Sequence, residues 1–476
     1  MIRNLKPYPA YKDSDASWLR KIPEHWAEKR AKYFFREVDE RSIAGEEELL
    51  SVSHLTGVTP RSQKNVTMFL AESTVGHKLC RPGDVVVNTM WAWMGALGVA
   101  KQAGLVSPSY AVYRPRRPVF IPELLDDLLR TPPYISEYIC RSTGITTSRL
   151  RLYPEQFLRI MLPCPPLQEQ RLIMRFVAAM NRRVRRYIRA KQKLIALLND
   201  QKQAIIHRAV TRGLDPGVRC KPSGVEWLGN VPEHWEVVPL KRIAWFRSGT
   251  GFPVGEQGQQ NLEVPFLKVS DMTRSGNEVW IETASSTISR ETAVRLGAFV
   301  FPPGSIIFPK VGGALLTNKR RLLRQASCID NNVMGCVVKA ANLKYTFVLL
   351  QQLDLGRLAK PGPVPAIGEG DVREIKVALP PPKEQSSLVS AVNGSTAGLD
   401  RAIAAAHHEL DLLREYRTSL ITAVATGKLD VREAAEHLAE EAEEPKPLDE
   451  VDTLSDSGDI REVAELDAAS EEAVDG

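Results

Sequence analysis

The nine residues WLRKIPEHW at positions 18–26 recur as WLGNVPEHW at positions 227–235. Six of the nine positions are identical, and two of these six are tryptophan, an uncommon residue. We call these stretches the first and second Trp segments. A match of this kind, 209 residues apart, indicates an internal duplication.

Three further pairs of stretches match in the same order in both halves. PPLQEQ at 165–170 pairs with PPPKEQ at 380–385, a shift of 215, and at that same shift the leucine-rich run 197–215 pairs with 412–430. The stretch RPGDVVV at 81–87 pairs more weakly with PPGSIIF at 302–308. The 476 residues therefore consist of two copies of a unit of about 210 residues, followed by a C-terminal extension.

The net charge of +6 conceals a strong segregation of charge along the chain. Residues 440–476 carry 15 acidic and 2 basic side chains, which leaves 61 basic against 42 acidic side chains in residues 1–439. The extension is predicted to be an acidic, disordered tail. A body with a net charge of +19 favours a polyanionic partner, and nucleic acid is the first candidate.

Several classes of protein are excluded or disfavoured by composition. No stretch approaches the roughly 18 unbroken apolar residues of a membrane span, and the first residues lack a signal-peptide pattern, so we expect a cytoplasmic protein without membrane contact. The six cysteines are scattered without a Cys-x-x-Cys pair, which argues against a disulfide framework and a structural zinc. We expect buried, reduced thiols and no metal.

Each copy changes character at its proline pair. Upstream, short apolar runs such as 84–88, 109–113, 305–308 and 333–338 alternate with turn residues, and a helix is expected at 122–130, which together predict a mixed α/β (α+β) domain. Downstream, a long helix is predicted in each copy, from about 168 to 212 in the first. Apolar residues there recur at heptad spacing, and the predicted coiled-coil positions are Ile173, Val177, Met180, Val184, Leu194, Leu198, Leu388, Val392, Leu399, Leu410, Leu413 and Leu420.

Helices of this length need a partner, because each would extend about 65 Å and exceed what one small domain can bury. The predicted fold is therefore two α/β (mixed α+β) recognition domains in pseudo-two-fold related copies, separated by a long antiparallel helical coiled coil. The alternative is that the helices are core elements of one larger α/β fold. The predicted boundaries are 1–164 and 215–379 for the recognition domains, 165–214 and 380–430 for the spacer helices, and 431–476 for the acidic tail.

The twin Trp segments, the twin Pro-Pro-x-x-Glu-Gln helix entries and the heptad helices resemble the specificity subunit of a type I restriction-modification system over roughly residues 10–430. The resemblance implies a non-catalytic, sequence-specific DNA-binding subunit that reads an asymmetric bipartite site and directs adenine methylation and restriction. It also implies double-stranded DNA, two methyltransferase subunits and restriction/translocase subunits as partners. S-adenosylmethionine, ATP and Mg²⁺ are then expected on those partners, with no cofactor on this chain.

The alternative of a self-contained DNA methyltransferase or nuclease requires a catalytic constellation. FRSGTG at 246–251 lacks the flanking strand and acidic residue of a cofactor loop, and TPPY at 131–134 has threonine where an amide or carboxylate is needed. Asp371, Glu374 and Lys376 form a nuclease-like pattern without an equivalent in the first copy. No phosphate-binding Gly-x-x-x-x-Gly-Lys-Ser/Thr loop occurs. We interpret His25 and His234 as structural anchors of the Trp segments.

Base readout requires amide, hydroxyl and cationic side chains on loops that enter a groove. The candidates in the first copy are Arg61, Gln63, Lys64, Asn88, Thr89, Ser109, Tyr110 and Arg114. Those in the second copy are Lys268, Arg274, Lys310, Asn318, Lys319, Arg320, Asn331 and Asn332. The arginines at 182, 183, 185, 186 and 189 of the first spacer helix are left between three interpretations: phosphate contacts, side chains flanking a coiled coil, or a docking surface for an acidic partner.

Overall fold

The computed structural model describes residues 5–63, 73–144, 150–359 and 364–438. The chain divides into two compact units, the first comprising Met1–Ala190 with Glu409–Gly476 and the second comprising Lys191–His408. Each boundary falls inside one of the two long helices. Each unit therefore contains one recognition region, part of the first long helix and part of the second.

The first recognition region is built from short strands around a few helices. Its strands are β1 (Tyr11–Asp13), β2 (Lys21–Pro23), β3 (Ala27–Arg30), β4 (Phe35–Val38), β5 (Leu50–Ser53), β6 (Gly57–Pro60), β7 (Lys78–Cys80), β8 (Val85–Val87), β9 (Leu97–Val99), β10 (Gly104–Val106), β11 (Ala111–Pro115) and β12 (Met161–Cys164). Its helices are α1 (Ala31–Phe34), α2 (Pro122–Leu129), α3 (Pro132–Arg141) and α4 (Pro154–Leu158). The first long helix, α5 (Leu167–Arg212), follows.

The second recognition region repeats this plan. Its strands are β13 (Cys220–Pro222), β14 (Asn230–Pro232), β15 (Glu236–Pro239), β16 (Ala244–Ser248), β17 (Val264–Leu267), β18 (Trp280–Ile281), β19 (Thr287–Ile288), β20 (Ile306–Pro309), β21 (Arg321–Leu323), β22 (Cys328–Ile329), β23 (Val333–Val338) and β24 (Lys376–Leu379). Its helices are α6 (Arg290–Arg295), α7 (Gly313–Leu316), α8 (Leu343–Gln352) and α9 (Glu369–Arg373). The second long helix, α10 (Pro382–Ala425), and the short α11 (Arg432–Glu436) complete the chain.

The two regions share an order of strand pairing. The first contains the antiparallel sheet β4-β11-β8-β9 and the pairs β1-β2 and β3-β12. The second contains the corresponding order β16-β23-β20, extended by β21 and β18, together with the pairs β13-β14 and β15-β24. Parallel pairing enters through β17-β22 and β18-β21. The predicted mixed α/β class is thus confirmed, and so are the internal duplication and the long helix after each proline pair.

The two long helices pack against each other in each unit, and in the second unit Lys202 of α5 pairs with Asp400 of α10. In the first unit, Val177, Met180 and Val184 of α5 line one small cavity together with Leu420 and Ile421 of α10. In the second unit, the hydrophobic core contains Ile206, Ala209 and Val210 of α5 and Leu388, Val389 and Val392 of α10. Residue numbers rise along one helix as they fall along the other, which is the antiparallel arrangement predicted from the sequence.

Most of the predicted coiled-coil positions are buried, but Leu194 is not. Its side chain is 41% exposed, whereas Ile188 and Ile195 are half-buried. Tyr187, seven residues before Leu194 and thus at the same heptad position, is also 50% exposed. A straight helix has 3.6 residues per turn, so a strict heptad drifts off the buried face by about 20° per repeat. Leu198, Leu399 and Leu413 are half-buried, and the remaining predicted positions are at most 8% exposed.

In each copy, a glutamate at the start of the long helix binds the Trp segment, an arrangement we call the Glu clasp; Glu169 is buried and Glu384 is half-buried. In the first unit, Glu169 accepts hydrogen bonds from Tyr8 Oη (2.7 Å) and Trp26 Nε1 (3.0 Å), and its Oε2 lies 2.7 Å from His25 Nε2. In the second unit, Glu384 Oε2 accepts from Trp235 Nε1 at 3.0 Å and lies 2.8 Å from His234 Nε2. The interpretation of both histidines as structural anchors is confirmed.

The glutamine that follows each clasp glutamate makes equivalent hydrogen bonds in both copies. Gln170 Oε1 accepts from the backbone of Ile121 at 2.8 Å, and Gln170 Nε2 donates to the carbonyl of Pro165 at 2.8 Å. Gln385 makes the equivalent bonds with the backbone of Asn342 at 2.7 Å and with Pro380 at 2.8 Å. Both glutamines are at most 2% exposed. Buried polar groups need such partners, so the motif ties the start of each long helix to its recognition region.

Candidate nucleic-acid interface

Two predicted stretches of the first copy meet at one edge of the sheet β4-β11-β8-β9. Val87 at the end of β8 pairs with Ala111 at the start of β11, so the residues that follow one strand and precede the other are neighbours. Asn88 Nδ2 donates to Tyr110 Oη at 3.1 Å, and Thr89 Oγ1 donates to the carbonyl of Ser109 at 3.0 Å. We call these four residues the first polar edge.

Aromatic and cationic side chains flank the first polar edge. Trp91 and Trp93 are half-buried and stack with ring centroids 6.3 Å apart, and Trp93 Nε1 donates to the carbonyl of Met90 at 2.9 Å. Arg151, which our sequence analysis missed, lies beside Met90, because Leu152 pairs through its backbone with Thr89. Only the fold could reveal Arg151, since at least 40 residues separate it from every member of the edge that it joins.

The second copy builds an edge at the equivalent position from different side chains. Pro309 at the end of β20 pairs with Val333 at the start of β23, which brings Lys310 next to Asn331 and Asn332. The backbone of Lys310 donates to the carbonyl of Asn332 at 2.9 Å, and its Nζ donates to Ser248 Oγ at 2.9 Å. Both asparagines are exposed. We call Ser248, Lys310, Asn331 and Asn332 the second polar edge.

Lys268 joins this edge through the neighbouring sheet. It directly follows β17, whose Leu267 carbonyl accepts from the backbone of Asp330, the residue before Asn331. Lys268 Nζ is half-buried and donates to Gln257 Oε1 at 2.9 Å. Arg274 lies further along the same segment, exposed and 4.0 Å from the buried carboxylate of Asp271. Burial raises the pKa of Asp330. The hydrogen bonds that the backbone and side chain of Asn332 donate to this carboxylate act in the opposite direction.

Asn318, Lys319 and Arg320 precede β21, which runs antiparallel beside β20. Asn318 Nδ2 donates to Asp354 Oδ1 at 3.0 Å, and burial lowers the pKa of Lys319. Arg320 is 2% exposed, donates to the carbonyl of Leu353 at 3.0 Å and covers the ring of Phe308. Burial lowers its pKa to about 10. Arg320 therefore supports the fold from inside and presents no donor to solvent at the edge.

The remaining candidates of the first copy lie elsewhere. Arg114 donates two hydrogen bonds to Asp84 and one to Glu40, and its side chain is 13% exposed. It belongs to an internal ion-pair network rather than to the polar edge. Arg61 and Gln63 form a short 3-10 helix next to Leu49 and Glu48, and Gln102 beyond the far end of β9 also bonds Glu48. Lys64 lies outside the described residues.

The motifs that suggested catalysis have structural explanations. Gly249 of the FRSGTG stretch passes so close to the carbonyl of Asp330 that a Cβ would lie 2.1 Å from it. Pro132 begins helix α3, and Tyr134 is fully buried with its hydroxyl donating to Met161 at 2.9 Å. Asp371 accepts from the backbone of Gly368 at the start of α9, and Glu374 pairs with Lys241.

Two kinds of feature are absent from the described residues. No three His, Cys, Asp or Glu side chains come together there as metal ligands. None of the helices in the same ranges is both long enough and apolar enough to cross a membrane.

The comparisons with known proteins agree with the sequence resemblance. No family model matches the chain. The type I restriction enzyme MjaVIII specificity subunit of Methanocaldococcus jannaschii is 24% identical over 286 residues, which cover 58% of this chain. The chain spans 64% of the length of that relative. The resemblance to type I specificity subunits is thus confirmed by a relative that bears this description.

Among solved structures, a chain described in a study of complex assembly and conformational transition of the type I R-M system shares the fold. It has a TM-score of 0.56 and 18% identity, and the match covers 86% of this chain and 99% of that one. The HsdS subunit from Thermoanaerobacter tengcongensis matches with a TM-score of 0.38 and 17% identity over 86% of this chain. We draw on the first of these for the fold alone.

Proposed function

We propose that this chain, a relative of type I specificity subunits, is the DNA-reading subunit of a type I restriction-modification complex. The observation that carries the proposal is the pair of polar edges, built at equivalent strand ends in both copies from different side chains. Amides, hydroxyls and lysines at such positions are the groups that read base edges in a groove. The net charge of +19 on residues 1–439 supplies the phosphate attraction that such binding needs.

Different edges imply different half-sites. The first polar edge offers neutral donors and acceptors flanked by two tryptophans and Arg151. The second polar edge offers Lys310 and two exposed asparagines, and Lys268 lies beside it as a second lysine. Lysine pairs best with the acceptors of guanine and asparagine with adenine. The chain therefore recognises an asymmetric bipartite target, each half read by one copy.

The chemistry then belongs to partner subunits. Two methyltransferase subunits would supply S-adenosylmethionine and the pocket for the flipped adenine, and translocase subunits would supply ATP hydrolysis and Mg²⁺. The structural roles of Gly249, Tyr134 and Asp371 support a chain without catalytic activity of its own. The division into two recognition domains, two spacer helices and a tail belongs to the same proposal, as does a cytoplasmic location.

The proposal is tested by methylome sequencing of a methylation-free host that expresses the chain together with a type I methyltransferase subunit. We expect adenine methylation at one bipartite motif. Asn88→Ala with Tyr110→Phe is expected to relax one half of the motif, and Lys310→Ala with Asn332→Ala the other half. Gln325→Ala, at an exposed position outside both edges, is the matched control.

Three outcomes would contradict this function. Methyl transfer by the purified chain without a second subunit would favour a self-contained methyltransferase. Equal affinity for random and motif-containing DNA at matched salt would favour a structural adaptor that does not read sequence. Loss of both half-sites from a substitution at one edge would contradict the separate reading of the two halves.

A further inference from the structure

Helix α5 carries a row of arginines within the first unit, which we call the arginine stripe: Arg171, Arg175, Arg182, Arg186 and Arg189. At 100° per residue, these positions lie on the side of the helix opposite to the buried Val177 and Val184. Arg171, Arg186 and Arg189 are exposed. Among the described residues, no carboxylate forms an ion pair with these three. Arg171, Arg186 and Arg189 therefore form a concentrated cationic surface that suits an anionic partner.

The last described residue of the chain lies at the beginning of this stripe. After α10, Val431 and Ala435 are fully buried in the core that also contains Ile173 and Val177 of α5. The carbonyl of Leu438, the last described residue, accepts a hydrogen bond from Arg175 Nη2. The acidic tail that follows is thus tethered to the stripe itself.

The internal repeat supplies a control for this arrangement. A shift of 215 residues places Ser386, Ser390, Ala397, Arg401 and Ala404 of α10 at the positions of the five arginines, so four of the five cations are missing. After Gly213, the equivalent chain continues into the second Trp segment instead of an acidic tail. The arginine stripe and the acidic tail are two departures from the repeat, and they belong to the same unit.

We propose that the acidic tail docks on the arginine stripe of its own chain. Residues 440–450 carry six carboxylates and one lysine, and the stripe from Arg175 to Arg189 extends about 21 Å along α5. About seven residues of extended chain cover that distance. Tethering at Leu438 gives the tail an effective concentration on the order of millimolar, which compensates for the weakness of individual surface ion pairs.

The full-length chain tests this by zero-length carbodiimide cross-linking, which joins lysine amines to carboxylates that they contact. Arg186→Lys and Arg189→Lys keep the charge of the stripe and introduce the amine. Arg401→Lys introduces it at the equivalent position of α10 and is the matched control. We expect monomeric cross-links from the two stripe positions to carboxylates of residues 440–450, with yields at least about fivefold lower at 0.5 M than at 0.05 M salt.

A second measurement does not depend on lysine chemistry. A glutamate-specific protease should cleave the tail of the full-length chain about fivefold faster in Arg171→Gln/Arg186→Gln/Arg189→Gln than in the unsubstituted chain at low salt. Absence of tail cross-links, equal yields from Arg401→Lys, or cross-links found only in dimers, which would make a second copy the occupant, would each overturn the proposal. Unchanged cleavage in the triple variant would overturn it as well.

Discussion

Replacing the clasp glutamate by alanine is expected to lower the free energy of unfolding by different amounts in the two copies. Glu169 is 5% exposed and accepts from Tyr8 and Trp26, which are 3% and 0% exposed. Burial and Glu169 also raise the pKa of Tyr8, so its hydroxyl remains a donor. Glu169→Ala leaves two buried donors without an acceptor, at about 1–3 kcal/mol each, and we expect a total loss of about 3–4 kcal/mol.

Glu384→Ala is expected to cost about 1 kcal/mol, because only Trp235 loses a buried bond and water can replace the carboxylate. The Glu384 side chain is 29% exposed, against 6% for Glu169. The difference of about 2 kcal/mol corresponds to a roughly 30-fold difference in the local opening constant. The removal of an equivalent residue from each copy therefore separates the effect of burial from that of residue type.

Hydrogen exchange of matched amides measures both openings in the same molecule. The backbone of Trp26 donates to Pro23, and that of Trp235 donates to Pro232, both at 3.0 Å. We expect protection to fall far more at Trp26 in Glu169→Ala than at Trp235 in Glu384→Ala. Glu169→Gln, which keeps an acceptor oxygen, should lose less than half as much as the alanine variant. Equal losses of protection in the two alanine variants would refute the reasoning.

Four further substitutions have defined outcomes. Arg114→Ala should destabilise the first unit by about 3 kcal/mol in chemical denaturation, because it leaves the buried Asp84 carboxylate unpaired, and the methylated motif should stay the same. Burial and the Asp126 charge raise the pKa of Asp127 to about 6, so the stability contributed by its protonated form is complete below pH 4 and is lost as pH rises through 6. Asp127→Asn should therefore raise stability by about 2 kcal/mol at pH 7 and flatten the pH profile between 4 and 6; a steeper profile would contradict the assignment. Leu194→Lys should change thermal stability by less than about 0.5 kcal/mol, whereas Ile195→Lys should cost about 2 kcal/mol.

The architecture was predictable because the sequence contains the same unit of about 210 residues twice. Two identical tryptophans and a helix after each proline pair required no knowledge of tertiary contacts. Burial within the helices was less predictable, as Leu194 shows. A small rotational drift between the heptad pattern and the helix decides whether Leu194 or its neighbour Ile195 turns toward the buried face. Local periodicity therefore predicts that a helix packs, and tertiary geometry decides through which residues.

The site was predictable only in part, because residue type does not indicate what a side chain contacts. Asn88, Tyr110, Lys310 and Asn332 meet at sheet edges, as turn residues next to paired strands should. Arg114 carries the same guanidinium group as arginines that bind DNA, but in this fold it pairs with the buried carboxylate of Asp84. A cation close to a strand cannot be assigned to solvent or to the interior until its carboxylate partners are located, and Asp84 is 30 residues away.

What the two copies retain and what they vary follows from this distinction between buried and exposed polar groups. Trp26 and Trp235 bury an indole N–H that must have an acceptor, so a change in the Glu clasp or in the buried glutamine after it lowers the stability of either copy, and most in the first, where the glutamate is itself buried. Apart from Asn88, the residues of the polar edges are half-buried or exposed, so water can replace a lost hydrogen bond, and positions such as Ser109 and Asn332 can differ at little cost to folding. A duplicated chain can therefore change its reading surface in one copy while the scaffold of both stays fixed. An asymmetric bipartite site is the expected result of such divergence.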